Sequence, residues 1–382
     1  MGETIYQLEE GYAIKVITDL EGFYQLQPEW DRLLESHKSH VPFLCFDWFR
    51  IWLKHFLRED GLFIVLLYEQ NLLVAIAPMV FARESIKGIL KVRKVSLIGN
   101  VYSPVRNVLF NDLNKEARQK YWSKILLFFT EHFIQWDVME LDSLPVEDDT
   151  FDILNNVVAR LNLKSRQYFC FADWYLDGID FSGEEYINRL PKKTRNEIKR
   201  REKRLKEIGT LEVVRGINKI SFDQQMNLYY QVRRKSWKSP ESDQDFHCEV
   251  REMFDQEGWL RCGTLFLNDI PIAAQIRVVH DGTVYFMEAL HDSDYGKYGP
   301  GTILRAEFTK YFIDVEQISE IDQIRGDESY KKYWTPNRRE RRGITIFNNN
   351  AQGQLMAFLM ITILPVIKKH PLLMAIKKRL LH

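Results

Sequence analysis

Two stretches of the chain share one pattern of apolar and polar positions. Residues 62–81, LFIVLLYEQNLLVAIAPMVF, form two β-rich runs around the polar tip Glu69-Gln70-Asn71. Residues 260–279, LRCGTLFLNDIPIAAQIRVV, form two more around Asn268-Asp269. Polar tips between β-rich runs predict hairpins. The second continues through Asp281-Gly282, a strong turn dipeptide, into TVYFMEAL, which makes a three-stranded meander. The echo extends downstream. After the first hairpin come the strand-like KVSLIGN and NVLF, a helical stretch at 116–133 and the strand-like VMELDSL. After the meander come a helical stretch at 302–315 and ISEIDQIRG. Two copies of one α+β unit is the economical reading. Any α+β protein offers such runs, so the pattern alone leaves a chance echo open.

The boundary between the copies falls near 165–180, where a helix over 150–162 ends and RQYFCFADWYLDG reads as an extended crossover. A helix is then expected between Pro191 and Gly209. From Arg189 to Lys206 it carries ten basic residues against Glu197 and Glu202, a local net of plus eight. A solvated helix face, helped by the Glu197–Arg201 spacing, is one reading. A cationic wall for phosphate-bearing ligands is the other. Aromatic residues are not interleaved there as single-stranded nucleic acid favours.

Composition narrows the classes. At 382 residues, 45% apolar and 13% aromatic, the chain has material for two cores and is no disordered protein. Lys+Arg and Asp+Glu are 53 each, so it is not basic throughout, as a general nucleic-acid coat would be. Cys45, Cys170, Cys248 and Cys262 form no CxxC and have no His at metal-ligand spacing. No metal, no disulfide framework and a reducing compartment are expected. The N-terminus has neither a signal-peptide pattern nor a good myristoylation start at Gly2, since position 6 is Tyr6. No GxSxG or HExxH is present, and His37, His40, His55 and His132 have no nucleophile nearby, so hydrolase chemistry lacks support.

The chemical signal lies in HDSDYGKYGPGTILRAEF, residues 291–308, where a strand runs into Gly296, Gly299 and Gly301 and then a helix opened by Pro300. Glycines let a backbone approach a ligand closely, and amides at a helix start bind anions. The loop follows an antiparallel meander and lacks GK[ST], so it is neither a dinucleotide fingerprint nor a P-loop. An ordinary turn remains the plain alternative.

Several motifs now carry a resemblance. EIDQIRGDESYKKYW (320–334) resembles the "GDE-x-YK, then W" signature of the polysaccharide-biosynthesis family of GNAT-type N-acyltransferases, often called cellulose-biosynthesis acetyltransferases. LPKKTRNEIKRREKRL resembles its basic segment, and PFLCFDWFRIWLKHF (42–56) its aromatic opening. WDVMELDSLP (136–145) and YGKYGPGTILRAEF match as well, so the resemblance covers roughly 25–350. The family is similar in turn to the Fem-type aminoacyl transferases. The resemblance implies an α+β fold: a tandem duplication of two GNAT-like acyltransferase folds, with mixed, mainly antiparallel sheets flanked by helices. It implies a first domain over 1–170, a second over 171–350 with the donor site, and a basic amphipathic tail over 351–382. The active site would lie at the second half or between the halves. The first half lacks a glycine-rich turn, so no donor site is expected there. One departure is Arg106-Asn107, where the family usually shows an acidic residue.

Acyl transfer from a thioester needs a polarised carbonyl, a base for the acceptor's proton and a proton for the leaving thiolate. The expected catalytic residues are Asp327, Glu288 and Tyr298: Asp327 or Glu288 as base, Tyr298 as donor to the sulfur. Strand alternation would put Phe286 and Glu288 on one face. Lys297, Gly299, Gly301 and Thr302 are expected to hold the donor's phosphates; Arg325, Tyr330, Lys331 and Arg106 are expected at the acceptor. Each has a plainer reading: Asp327 a helix cap, Glu288 a paired strand carboxylate, Tyr298 loop packing, Lys331 a surface lysine, Trp334 core.

Residues 355–367, LMAFLMITILPVI, are broken by Pro365 and too short to span a bilayer. With Lys368, Lys369, Lys377, Lys378 and Arg379 behind them, they fit an interfacial helix on an anionic membrane, or a helix docked on the protein itself. The expectation is a cytoplasmic acyltransferase, peripheral at the inner membrane face where the tail engages it. Acetyl-CoA, another acyl-CoA or an acyl carrier serves as co-substrate, and an amine or hydroxyl of a cell-envelope glycan or lipid-linked precursor as acceptor. The alternatives are a Fem-type transferase using aminoacyl-tRNA, the one role for nucleic acid, and a non-catalytic module of an envelope-synthesis complex. A second long helix, often present in tRNA-dependent Fem-type enzymes, is not expected between the basic one and Leu211.

Overall fold

The computed structural model describes residues 4–36, 41–58, 61–86, 90–111, 114–215 and 220–369. Gly2, His37, His40, Lys377, Lys378 and Arg379 lie outside the described residues. The chain begins with β1 (Thr4–Gln7), β2 (Tyr12–Ile17) and the helices α1 (Leu20–Gln25), α2 (Gln27–Ser36) and α3 (Phe46–Phe56). Next come β3 (Leu62–Glu69), β4 (Leu72–Ile86), β5 (Leu90–Leu97), β6 (Leu109–Phe110), α4 (Lys115–Leu127), β7 (Val138–Pro145), α5 (Thr150–Arg160) and β8 (Lys164–Leu176). They are followed by α6 (Gly183–Arg189), α7 (Lys192–Lys206), β9 (Leu211–Arg215), α8 (Phe222–Lys235) and α9 (Gln244–Gln256). The meander β10 (Leu260–Leu267), β11 (Ile270–His280) and β12 (Thr283–His291) leads to α10 (Pro300–Asp314) and β13 (Glu320–Arg325). The last elements are β14 (Asn337–Phe347) and α11 (Ala351–Ala357), which runs on through further turns to Lys369.

The hairpin turns form as their residues dictate. Gln70-Asn71, Asn268-Asp269 and Asp281-Gly282 all adopt left-handed backbone, with φ between +46° and +72°. Left-handed geometry at both central positions gives the turn whose twist matches paired strands, and Asn, Asp and Gly tolerate it best.

Two compact units result: residues up to Phe171 together with those from Glu340 on, and Ala172–Arg339. In the first, β2 to β5 pair antiparallel in sequence, α4 crosses over, and β7 pairs parallel to β5 at Lys94↔Val138, Val95↔Met139 and Ser96↔Glu140. In the second, β9 to β12 pair antiparallel, α10 crosses over, and β13 pairs parallel to β12. Both are mixed, mainly antiparallel sheets flanked by helices, the α+β duplication anticipated from the sequence.

The expected boundary at 350 is corrected. From Arg341 to Phe347, β14 pairs antiparallel with β7 and belongs to the first unit. Its Ile344 and Ile346 are fully buried in that unit's core beside Met139, Leu141 and Trp122, which removes them from water. The second unit instead takes the end of β8, which pairs antiparallel with β13 at Ile321↔Leu176 and Asp322↔Tyr175. The tail starts as part of the first unit too: Met356 and Ala357 are buried against Val92, Val138 and Phe347. Leu355 just before them, and Phe358, Ile361 and Val366 further along, remain exposed. Among the described residues no helix is long and apolar enough to cross a membrane.

The core of the second unit forms under α10. Ile303 and Leu304 pack on Leu265 and Ile272, while Phe308 and Phe312 pack on Val284 and Ile321. Each such burial contributes about 1.5–3 kcal/mol. Gly263 makes room for this helix, since a Cβ there would lie 2.7 Å from the Phe308 ring.

Candidate functional site

The second unit's sheet opens between β12 and β13. Their parallel pairing covers Thr283↔Glu320, Val284↔Ile321 and Tyr285↔Asp322, then stops. Both strands leave regular geometry just beyond. In β12, Phe286 stands opposite Arg277 and Glu288 opposite Ile276, so Met287 is the extra residue of a bulge. In β13, Ile324 turns to φ +44° and its N–H donates to Asp322 Oδ1 at 2.6 Å. A bulge bends its strand and leaves a residue outside the ladder. The strands therefore part at Phe286 and Gln323. The bulge also corrects the expected alternation: Phe286 and Glu288 stand opposite neighbouring residues of β11, and so lie on opposite faces.

Beyond β12 the chain makes a tight turn over Ser293–Tyr298 and enters α10 through Gly299. Asp292 caps the turn, its Oδ1 accepting from the Asp294 N–H at 3.0 Å. Gly299 has φ +60°, and a Cβ there would collide with the Arg201 guanidinium. Arg201, from the basic helix α7, donates to Thr302 Oγ1 at 2.7 Å and pairs with Glu197 at 2.6 Å. The loop amides were expected to hold phosphate. Two of them are used by the turn: Gly299 N–H donates to Gly296 O and Thr302 N–H to Gly299 O, each at 3.0 Å. The charge at this helix start is supplied by side chains as well as by amides.

Other cations stand close by. Lys235 Nζ lies 3.5 Å from the buried Asp292 carboxylate, and Lys238 forms an ion pair with Glu288. A bridge between Ser236 and Asp292 holds this lysine segment beside the end of β12. His291 packs against both Gly296 and Gly301. Burial, then the neighbouring Arg201, hold its imidazole below the usual histidine range, with Lys238 acting in the same sense and Asp292 against it.

The expected residues divide into two groups. Around the turn, Tyr298 is half-buried with Lys297 Nζ 5.0 Å from the centre of its ring, and Thr302 is the Arg201 acceptor. Gly301 gives its carbonyl to Gln275 Nε2 at 3.0 Å. Glu288 is half-buried and reaches the same region through Lys238. Elsewhere the structure gives different roles. Asp327 is exposed; it accepts from Arg338 at 2.8 and 3.1 Å and from Trp174 Nε1 at 3.0 Å. The Arg338 hydrogen bond holds its carboxyl below the usual aspartate range, which opposes service as a base. Lys331 is no surface lysine and no open anion holder. It is buried, with Nζ donating to the carbonyls of Gln323 and Arg325 at 3.1 and 2.9 Å and facing Glu328 at 3.2 Å. It satisfies oxygens that the irregular end of β13 leaves outside the ladder. Tyr330 and Arg325 are exposed nearby. Arg106, in the first unit, pairs with Asp142 and donates to Asn100 O at 2.8 Å, fastening the loop after β5 to β7. Trp334 is buried, in keeping with a core role.

Lys238 and His291, which stand beside the turn, escaped sequence reasoning. Lys238 lies in a loop without a motif. His291 adjoins the glycine loop, which is the one signal that could have found it.

Comparison with known proteins bears on the fold. Residues 192–332 match the family model described as an acetyltransferase (GNAT) domain. No curated protein matches the chain. The crystal structure of FemX is similar at TM-score 0.55 and 13% identity, over 87% of this chain and 98% of that one. A tandem GNAT protein from the clavulanic acid biosynthesis pathway aligns at TM-score 0.45 and 10% identity, over 87% and 98%. L-PGS from Bacillus licheniformis aligns at TM-score 0.44 and 10% identity, over 75% and 86%. The fold is GNAT-like, and the match of residues 192–332 to an acetyltransferase domain supports an acyltransferase.

Proposed function

We propose that this acyltransferase moves an acetyl or longer acyl group from acyl-CoA, or from an acyl carrier, to an amine or hydroxyl of a cell-envelope sugar or lipid precursor. The observation that carries the donor half is the parting of β12 and β13 at Phe286 and Gln323, with Arg201 on the first turn of α10 and Lys235 and Lys238 at the end of β12. A pantetheine arm needs an opening between strands, and its phosphates need cations and a helix N-terminus. Both features belong to the second unit and support this reading. The donor supplies a thioester-linked acyl group.

The residues then take these roles. Arg201, Lys297, Thr302 and the turn at Gly299–Gly301 hold the phosphates. The main chain at the Met287 bulge faces the acyl carbonyl, where a strand amide outside the ladder stabilises developing negative charge. Glu288, one residue on, takes the acceptor's proton after leaving Lys238. Tyr298 returns a proton to the sulfur. The envelope acceptor rests on the motifs resembling the polysaccharide-biosynthesis family.

Native mass spectrometry of the full chain with acetyl-CoA tests the donor. A one-to-one adduct, with a raised melting temperature, is expected; no adduct at millimolar acetyl-CoA would remove the reading. The exposed cationic helix α7 favours one second reading, aminoacyl transfer from tRNA as in Fem-type enzymes. Salt-sensitive tRNA binding without acetyl-CoA binding would select it.

A further inference from the structure

Two guanidiniums meet where β12 and β13 part, and neither has an acidic partner. Arg277 is 2% exposed. Its Nη1 donates to the carbonyls of Ile276 and Glu288 at 2.8 and 2.7 Å, and its Nη2 to Gln275 Oε1 at 2.7 Å. Its Nε is buried without a hydrogen-bond partner. Arg305, on α10, donates through Nη2 to Gln323 Oε1 at 2.7 Å, and its buried Nε is likewise unmet. Both flank one ring: the guanidinium carbons lie 4.0 and 4.9 Å from the centre of Phe286, and Arg305 also lies 4.4 Å from Trp334. Arg305 thus bridges Phe286 and Gln323, the first residue on each strand beyond the shared pairing.

A buried cation facing only dipoles and aromatic faces is poorly compensated. Elsewhere in this unit the buried Arg251 pairs with Glu241, and even the half-buried Arg339 pairs with Asp173 at 3.1 Å. No carboxylate among the described residues lies within ion-pair distance of Arg277 or Arg305. Burial, reinforced for Arg277 by Arg305, lowers the proton affinity of both, Arg305 to about 10. The half-exposed Tyr330 lies within the field of both and marks the side open to water.

We infer that Arg305, backed by Arg277 and edged by Phe286 and Tyr330, binds an anionic group of the acyl acceptor, a phosphate or a carboxylate, on the α10 face of the sheet beside the parting of β12 and β13, the space between the strands being left to the donor's arm. Arg305 makes the contact, since its Nη1 has no protein partner. Arg277 keeps the site positive and pins the bulge through the Glu288 carbonyl. The ligand class is thus a phosphosugar, a phospholipid precursor or an amino acid. The assignment of the anion to the acceptor rests on the proposed donor site; the anion site itself does not.

The test is calorimetric titration of the full chain with inorganic phosphate and, separately, acetate, both in saturating coenzyme A so that the turn before α10 is filled. Phosphate binding should weaken at least about tenfold in Arg305→Met, and less in Arg305→Lys, with coenzyme A affinity unchanged. A stronger response to acetate than to phosphate would select a carboxylate ligand. Equal phosphate and acetate binding in wild type and Arg305→Met, with circular dichroism showing both folded, would overturn the inference. Loss of coenzyme A binding in wild type would instead overturn the donor site, and phosphate titration without coenzyme A would still decide the role of Arg305.

Discussion

The Arg201 guanidinium donates a 2.7 Å hydrogen bond to the Thr302 hydroxyl, so a cation stands on the first turn of α10. A helix start is itself positive, and a cation there is disfavoured by about 0.3–1 kcal/mol. Glu197 offsets part of this. An anion bound at the turn reverses the sign, because cation and helix dipole then act together.

Replacing Arg201 with Met should therefore weaken coenzyme A binding by about ten- to a hundredfold, the range of one charge-assisted hydrogen bond. Calorimetry at two salt concentrations should also show a shallower salt dependence for the variant. Unchanged affinity would remove Arg201 from the phosphate site.

Gly299 should resist substitution for two reasons: its φ of +60° strains any residue with a Cβ, and the Arg201 side chain occupies that space. Gly299→Ala is expected to lose about 1–3 kcal/mol in urea unfolding and to bind coenzyme A more weakly. A loss below about 0.5 kcal/mol would mean that the turn relaxes and Arg201 is free to move.

Much of the frame was legible in the sequence because it depends on local chemistry. The tips at Gln70-Asn71, Asn268-Asp269 and Asp281-Gly282 need left-handed backbone, and those residue types announce it. Gly299 before Pro300 announced the entry to α10 in the same way. What was not legible depends on pairing across long distances. The placement of β14 with β7 is set by which sheet edge accepts Ile344 and Ile346, which a run of alternating residues does not specify. The Met287 bulge shows only against Arg277 on the neighbouring strand, and without it Glu288 was assigned to the wrong face. Lys331 resembled a substrate lysine in its motif, yet the carbonyls it satisfies become unpaired only when β13 kinks at Ile324.

Glu288 and Asp327 compete for the role of base, and their surroundings separate them. Asp327 is held ionised by Arg338 and Trp174 at an exposed edge, whereas Glu288 adjoins the bulge and has Lys238 as partner. Glu288→Gln should lower kcat by about a hundredfold or more with little change in the KM for acetyl-CoA. With Asp327 as the base, Asp327→Asn would abolish turnover; the geometry predicts a milder loss, arising from weakened contacts of residue 327 with Trp174 and Arg338. Steady-state kinetics on both variants decides the order, and the opposite ranking would return Asp327 to the catalytic role.

His291 gives the glycine turn a pH dependence whose sign follows from its burial. Its folded pKa lies below the ordinary value near 6.5, set by burial first and then by Arg201. Above pH 6.5 the imidazole is neutral in both folded and unfolded chains, and this residue costs no stability. As pH falls below 6.5 the unfolded chain takes up the proton first, so stability declines until the folded pKa is reached, by at most about 1.4 kcal/mol per pH unit. His247, held low by burial in the same way, adds to the decline. His291→Asn should flatten part of the fall in melting temperature between pH 6.5 and 5. A diphosphate at the turn would favour the imidazolium, so coenzyme A binding near pH 6 should draw in protons. Calorimetry in two buffers of different ionisation enthalpy measures that uptake. Equal uptake in wild type and His291→Asn would place the bound anion away from this histidine.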